Sequence, residues 1–194
     1  AQTNISLPMG FSFPFYQQTW PNVYINENGV LTFGGPYSFA HFNAHRQPAI
    51  APLLGHFTLA QGGGIYYKQT PDQLTVTWQR VASDAGASPN TFQVVLQHSG
   101  TIDFVYRELA MRQTYANHPA HSLWLAGLLP GDHRPLGAQV RFTENGPHLG
   151  LPQSAVVENF YLDFRQYMHQ QLAPLAYSIG AVTLLLLLSF PLFG

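Results

Sequence analysis

Cysteine is absent from the 194 residues. A disulfide framework, a thiol nucleophile and any thiolate-bound zinc or iron–sulfur centre are therefore excluded. Charge is nearly as scarce. Asp, Glu, Lys and Arg form 9% of the chain, against roughly 25% in ordinary soluble domains. Eight Lys+Arg stand against nine Asp+Glu, so there is no basic stripe to hold nucleic acid. No block of like charge marks an acidic tail or a polybasic anchor. Between Gln166 and Gly194 all four charged residue types are missing. Catalytic signatures are missing too. The metalloprotease "HExxH", the "GxSxG" elbow and the Walker and dinucleotide glycine patterns do not occur. The few carboxylates are too dispersed to nominate a general acid and base. The glycines of "QGGGIYY" lead into a strand pattern, not a helix, so they are no phosphate cradle.

What the chain does have is aromatic residues, 14% of the total, and many short alternating segments. Its length suits one domain with a full core plus a small addition. In "GFSFPFY" Phe11, Phe13 and Phe15 stand two apart, on one face of a strand. "NVYIN" and "VLTFG" flank "ENG", where Asn28-Gly29 is a strong hairpin signal. "AIAPLLG" is an apolar run interrupted by Pro52, which predicts an edge or bent strand. "GIYYKQ" and "LTVTWQRVA" pair across "TPDQ", with Leu74, Val76, Trp78 and Arg80 on one face. "NTFQVVLQH" and "TIDFVYREL" pair across "SG". There Phe92, Val94 and Leu96 point one way, as do Ile102, Phe104 and Tyr106 on the partner. "SLWLAGLL" and "AQVRFT" complete the series. "ASDAGASPN" and residues 112–121 read as surface loops. This pattern predicts a mainly β protein, an antiparallel sandwich over residues 1–150, each strand with one buried and one wet face.

After Pro152 the period changes. "SAVVENFYLDFRQYMHQQL" has apolar residues three and four apart, with Ser154 as N-cap and Glu158 near the positive end of the dipole. It predicts an amphipathic stalk helix over 151–171, with a seam of Val157, Phe160, Phe164, Met168 and Leu172. Residues 172–194 predict one transmembrane helix. The 22 residues from Leu172 to Phe193 would rise about 33 Å, enough for the ~30 Å hydrocarbon core. Only Ser178, Thr183 and Ser189 are polar there, and their hydroxyls bond back to their own helix. The lipid bilayer is thus an expected partner. Ala1, a small residue at the start, fits removal of an export signal and an extracytoplasmic β domain on a single-pass membrane protein.

Three stretches, "FSFPFYQQTWPNVYINENGVLTFG", "AIAPLLGHF…GGGIYYKQTPDQLTVTWQRV" and "NTFQVVLQHSGTIDFVY", together resemble the nidogen-like β-sandwich modules of extracellular proteins and their bacterial relatives. The resemblance runs over residues 7–107 and more weakly to about 143. It implies an extracellular recognition module. The chain departs from the pattern at Gln17, where relatives have glycine, and at "LLGHF" (53–57), where they carry an acidic pair. Any cation role of that pair is lost. The segment from Val156 to Phe193 resembles the juxtamembrane helix and span of bacterial HAMP-type receptors. That likeness implies a sensor whose span feeds a cytoplasmic output.

No cofactor or metal is expected. His41 and His45 are four apart and His118 and His121 three apart, but both pairs lie in loop-like text. Most aromatics sit at alternating core positions. Tyr16, Trp20, Tyr37, Phe39 and Phe42 lie near turns and are the expected ligand or partner surface. The reading is a non-enzymatic, membrane-anchored recognition or sensor module, binding protein partners through the sandwich or span, as a homodimer through the stalk. An accessory single-span subunit of a larger membrane assembly and an anchored adhesion module share these features.

Overall fold

A computed structural model of the chain describes residues 4–37, 47–83, 86–109, 125–132 and 154–159. These residues form eleven strands in two antiparallel sheets. In chain order they are β1 (Asn4–Phe15), β2 (Gln18–Asn26), β3 (Val30–Thr32), β4 (Pro48–Leu54), β5 (Phe57–Thr58), β6 (Gly64–Thr70), β7 (Gln73–Ser83), β8 (Gly86–Gln97), β9 (Ile102–Glu108), β10 (Leu125–Pro130) and β11 (Val156–Asn159). The first sheet has the order β1-β2-β3-β4-β10-β11. The second runs β7-β8-β9, with β5 and β6 pairing consecutive stretches of one edge of β7. The expected β-sandwich is present. Among the described residues no helix is long and apolar enough to cross a membrane. The apolar tail, 160–194, lies outside them, as do the "AQVRFT" strand and the 112–121 loop.

Alternation builds the core. Leu74, Val76 and Trp78 on β7 and Phe92, Val94 and Leu96 on β8 are buried on one face of the second sheet. Trp78 stacks on Phe92, with centroids 5.2 Å apart. Phe13 and Phe15 on β1 meet Phe33, just past β3 of the same sheet, at 6.0 and 5.1 Å. Phe11, expected on the same face, is half-buried and packs beside His98. Arg80 does not join Trp78's face. It has a φ of 53° beside an irregularity between Trp78 and Val81, and that extra residue turns Arg80 out and Val81 in. The expected loop "ASDAGASPN" is mostly strand, since Ala82 pairs with Pro89 and Ser83 with Gly86.

The two sheets are tied through the "NENG" turn. Asn26 and Asn28 are buried. The Trp78 indole Nε1–H donates to the Asn26 carbonyl at 3.0 Å. The amide of Phe57 donates to Asn28 Oδ1 at 3.2 Å, and that of Gly55 to the Asn28 carbonyl at 3.0 Å. Asn28's own amide donates to Asn26 Oδ1 at 2.9 Å. These buried groups of the turn are thus matched, as burial requires. Gly29 has a φ of +75°, and a Cβ there would collide with the Leu53 carbonyl oxygen.

Of the two places expected for "AIAPLLG", an edge or a bend, the edge is not what forms. β4 lies inside the first sheet, between β3 and β10. Its pairing with β3 ends at Ile50, and its register with β10 shifts between Leu125 and Gly127, opposite the Pro52 region. Pro52 is tolerated inside a sheet because the ladder is interrupted there. The run is apolar because both faces are covered. Leu31 and Ile50 are buried on one, Thr32, Ala49 and Leu129 on the other. The second face joins a cluster of Val30, Ala51, Leu54, Leu125 and Val157.

The stalk helix does not begin at Ser154. Residues 156–159 are strand β11, antiparallel to β10, with Val157 opposite Gly127. Val157 is a core residue of the sandwich rather than part of a stalk seam. The compact β unit extends to Asn159 rather than 150. Phe160, Phe164, Met168 and Leu172 lie outside the described residues.

Candidate binding site

Of the aromatic surface expected from the sequence, Tyr16, Trp20 and Tyr37 lie among the described residues, and Tyr37 is buried. Tyr37 is 2% exposed and belongs to the second cluster of the first sheet. Its main chain is held by Asn4, whose Nδ2 donates to the Tyr37 carbonyl at 3.1 Å and whose Oδ1 accepts its amide at 3.2 Å. Tyr16 stands in the two-residue turn between β1 and β2, where Phe15 pairs with Gln18. Its φ is 53°, a left-handed conformation that disfavours a side chain. Its ring packs edge-on against Phe15 at 4.6 Å, and its hydroxyl donates to the Ser154 carbonyl at 3.1 Å. Burial, and then the Asp132 carboxylate, push its phenol above the ordinary range. Trp20 is half-buried against Phe33 at 5.5 Å, and its shielded Nε1 meets no acceptor among the described residues. Phe39 and Phe42 lie outside those residues, as do His41, His45, His118 and His121. Among the described residues no three His, Asp or Glu side chains gather as metal ligands.

The sequence reading missed the outer face of the second sheet. Register sets its side chains in cross-strand rows. One row is Tyr66, Thr77, Gln93 and Val105, from β6, β7, β8 and β9. Beside it runs Lys68, Thr75, Val95 and Asp103. On the other side Gly64 faces Gln79, with Thr91 and Arg107 beyond. Arg107 is the extra residue where Thr91 pairs with Glu108 but Phe92 with Tyr106. Around the first row lies an open concavity of about 330 Å³, lined by Tyr66, Phe92 and Val105 together with Thr77, Gln79, Thr91, Gln93 and Arg107. Thr77 Oγ1 donates to Gln93 Oε1 at 3.0 Å, and the Arg80 amide donates to Thr91 Oγ1 at 3.1 Å. The signal in the sequence is the identity of the wet alternates. On the two central strands, β7 and β8, they are mostly Thr and Gln: Thr75, Thr77, Gln79, Thr91 and Gln93.

The inward face of β9 makes a different contact. Tyr106 lies between Val105 and Arg107 and points the other way. Its hydroxyl donates to the Pro52 carbonyl of β4 at 2.6 Å. Burial, and then the Glu158 carboxylate on β11, push its phenol upward. Glu158 is 7% exposed. Neighbouring residues of one strand thus face the concavity and the first sheet.

Fold and surface together define a two-sheet antiparallel β-sandwich with a concave outer face of mixed polar and apolar side chains. The family described as NIDO related matches residues 1–128, and the chain belongs to it. The nidogen-like resemblance of the opening motifs is thereby established. No curated protein and no solved structure gives a significant match.

Proposed function

We propose that the chain is a non-enzymatic recognition or sensor module, held outside the cytoplasm on a single membrane helix. The observation that carries this reading is the position of β11. The chain leaves the sandwich at Asn159 from a strand of the first sheet. The next residues are the apolar-periodic segment from Phe160 and then the uncharged tail to Gly194. A change in the sandwich that shifts β11 therefore acts directly on the start of the tail. Tyr106 supplies a route, because its neighbours Val105 and Arg107 line the concavity while its own phenol faces Pro52 and Glu158.

In this reading the lipid bilayer anchors residues 172–194, and the stalk seam, now Phe160, Phe164, Met168 and Leu172, pairs two copies of the chain. Protein partners meet the sandwich or the span. Single-cysteine variants from 160 to 172, introduced into the cysteine-free chain, test the dimer in native membranes. Cross-linking that rises and falls with a helical period is expected. Flat or absent cross-linking removes the homodimer, and stoichiometric co-purification with other proteins then assigns the accessory-subunit role.

A further inference from the structure

We propose that the concave outer face of the second sheet binds an acidic oligosaccharide, with Tyr66 as the stacking platform and Arg107 as the carboxylate contact. The proposal rests on reading the sandwich as a recognition module, but not on the membrane anchor.

Elimination by chemistry narrows the ligand. Nucleic acid needs several cations, and this concavity is lined by one, Arg107. A protein partner needs a desolvated apolar centre with aromatic anchors, whereas here the hydrogen-bonded pair Thr77 and Gln93 stands between Tyr66 and Val105 in the row. An apolar ligand would strand the same groups without partners. Threonine hydroxyls and glutamine amides each both donate and accept. That capacity matches the hydroxyls of a sugar, which also do both. The Tyr66-to-Val105 row crosses three strand spacings, about 14 Å, which is the reach of a short oligosaccharide rather than a single ring.

Tyr66 is the second observation. Its ring lies back over Gly64, so that a Cβ on Gly64 would sit 2.9 Å from Cε2 and 3.0 Å from Cζ. The residue is nevertheless 57% exposed. A tyrosine whose phenol end leans on glycine while much of the residue stays in water offers apolar ring surface to the C–H face of a pyranose. Arg107 is exposed, and among the described residues no carboxylate lies within ion-pair distance of it. A planar guanidinium fork without an internal partner suits bidentate contact with a carboxylate. A uronate within the glycan supplies one.

The test uses the full chain in detergent micelles on an array of uronate-containing and neutral oligosaccharides, followed by calorimetry. Oligogalacturonate and its methyl ester, which has the same shape without the charge, are the paired probes. Wild type is expected to prefer the free acid. Tyr66→Ala weakens both probes by about tenfold. Gly64→Ala, which lifts the ring without removing it, weakens them as well. Arg107→Gln abolishes the preference for acid over ester, and Asp72→Asn in the β6–β7 turn changes nothing. Each variant is first checked for an unchanged unfolding midpoint. An array without a binder overturns the proposal. So does binding that ignores Tyr66→Ala and Arg107→Gln together, or an extended peptide that occupies the face instead. Sugar binding by a chain found outside the membrane fraction would keep this site and remove the anchor, while a membrane-bound chain with no saccharide ligand would do the reverse.

Discussion

Gly29 shows how little room a single position can leave. Its positive φ disfavours any side chain, and the Leu53 carbonyl occupies the place a Cβ would take. Gly29→Ala should therefore cost several kcal/mol, about 3 or more, combining strain with displaced main chain. Urea unfolding measures it, and a midpoint close to wild type would contradict the packing of this turn. Tyr106 is a second such position. Tyr106→Phe removes one hydrogen bond to Pro52, worth about 1 kcal/mol. The same variant reports on alkaline behaviour. Burial raises the phenols of Tyr16, Tyr37 and Tyr106 above the ordinary value of 10.0. In the unfolded chain they lose their protons near that value, while the folded chain keeps them. Their contribution is complete below pH 10 and is lost as pH rises beyond it. Unfolding midpoints should fall progressively above about pH 10, and Tyr106→Phe should make the fall shallower.

Among the elements, those with two agreeing local signals were legible in the sequence. The β2–β3, β6–β7 and β8–β9 hairpins combine alternation with Asn-Gly, Pro-Asp and Ser-Gly turns. The β1–β2 turn was not legible, because Tyr16-Gln17 carries no glycine or asparagine. Tertiary contacts to Phe15 and Ser154 hold it instead. β4 misled because proline usually marks an edge, and only the register shift opposite it makes an internal place possible. β11 misled for another reason. "VVEN" begins a stretch whose apolar spacing fits a helix, and Val157 satisfies that spacing as well as it satisfies a strand. Its β-branched pair, Val156-Val157, was the contrary local signal. Val157→Asp places a charge in the cluster with Leu125 and Leu129 and should destabilise the sandwich by about 3 kcal/mol. Phe164→Asp should leave the sandwich midpoint unchanged. The outer face of the second sheet was hidden for a simpler reason: alternation shows which residues are wet, not that a wet row is concave.

For the molecule as a whole, the scarcity of charge now has a location. The wet side of the second sheet is covered largely by amides and hydroxyls, and residues 166–194 hold no Asp, Glu, Lys or Arg. Carbonate extraction of native membranes should retain the full chain in the pellet if residues 172–194 anchor it, and release it otherwise. The exit through β11 also has a mechanical meaning. Four residue pairs hold β11 to β10, and its other side has no strand partner among the described residues. Tension on the tail would reach these four rungs before the remainder of the sandwich. If they peel one at a time, the seam opens at low force and uncovers Leu125 and Leu129, while the aromatic core between the sheets stays shut. Pulling on the C-terminus in an optical trap should then show a small early extension, reversible and separate from the main rupture. In such a protein the last strand acts as a latch, set to yield first.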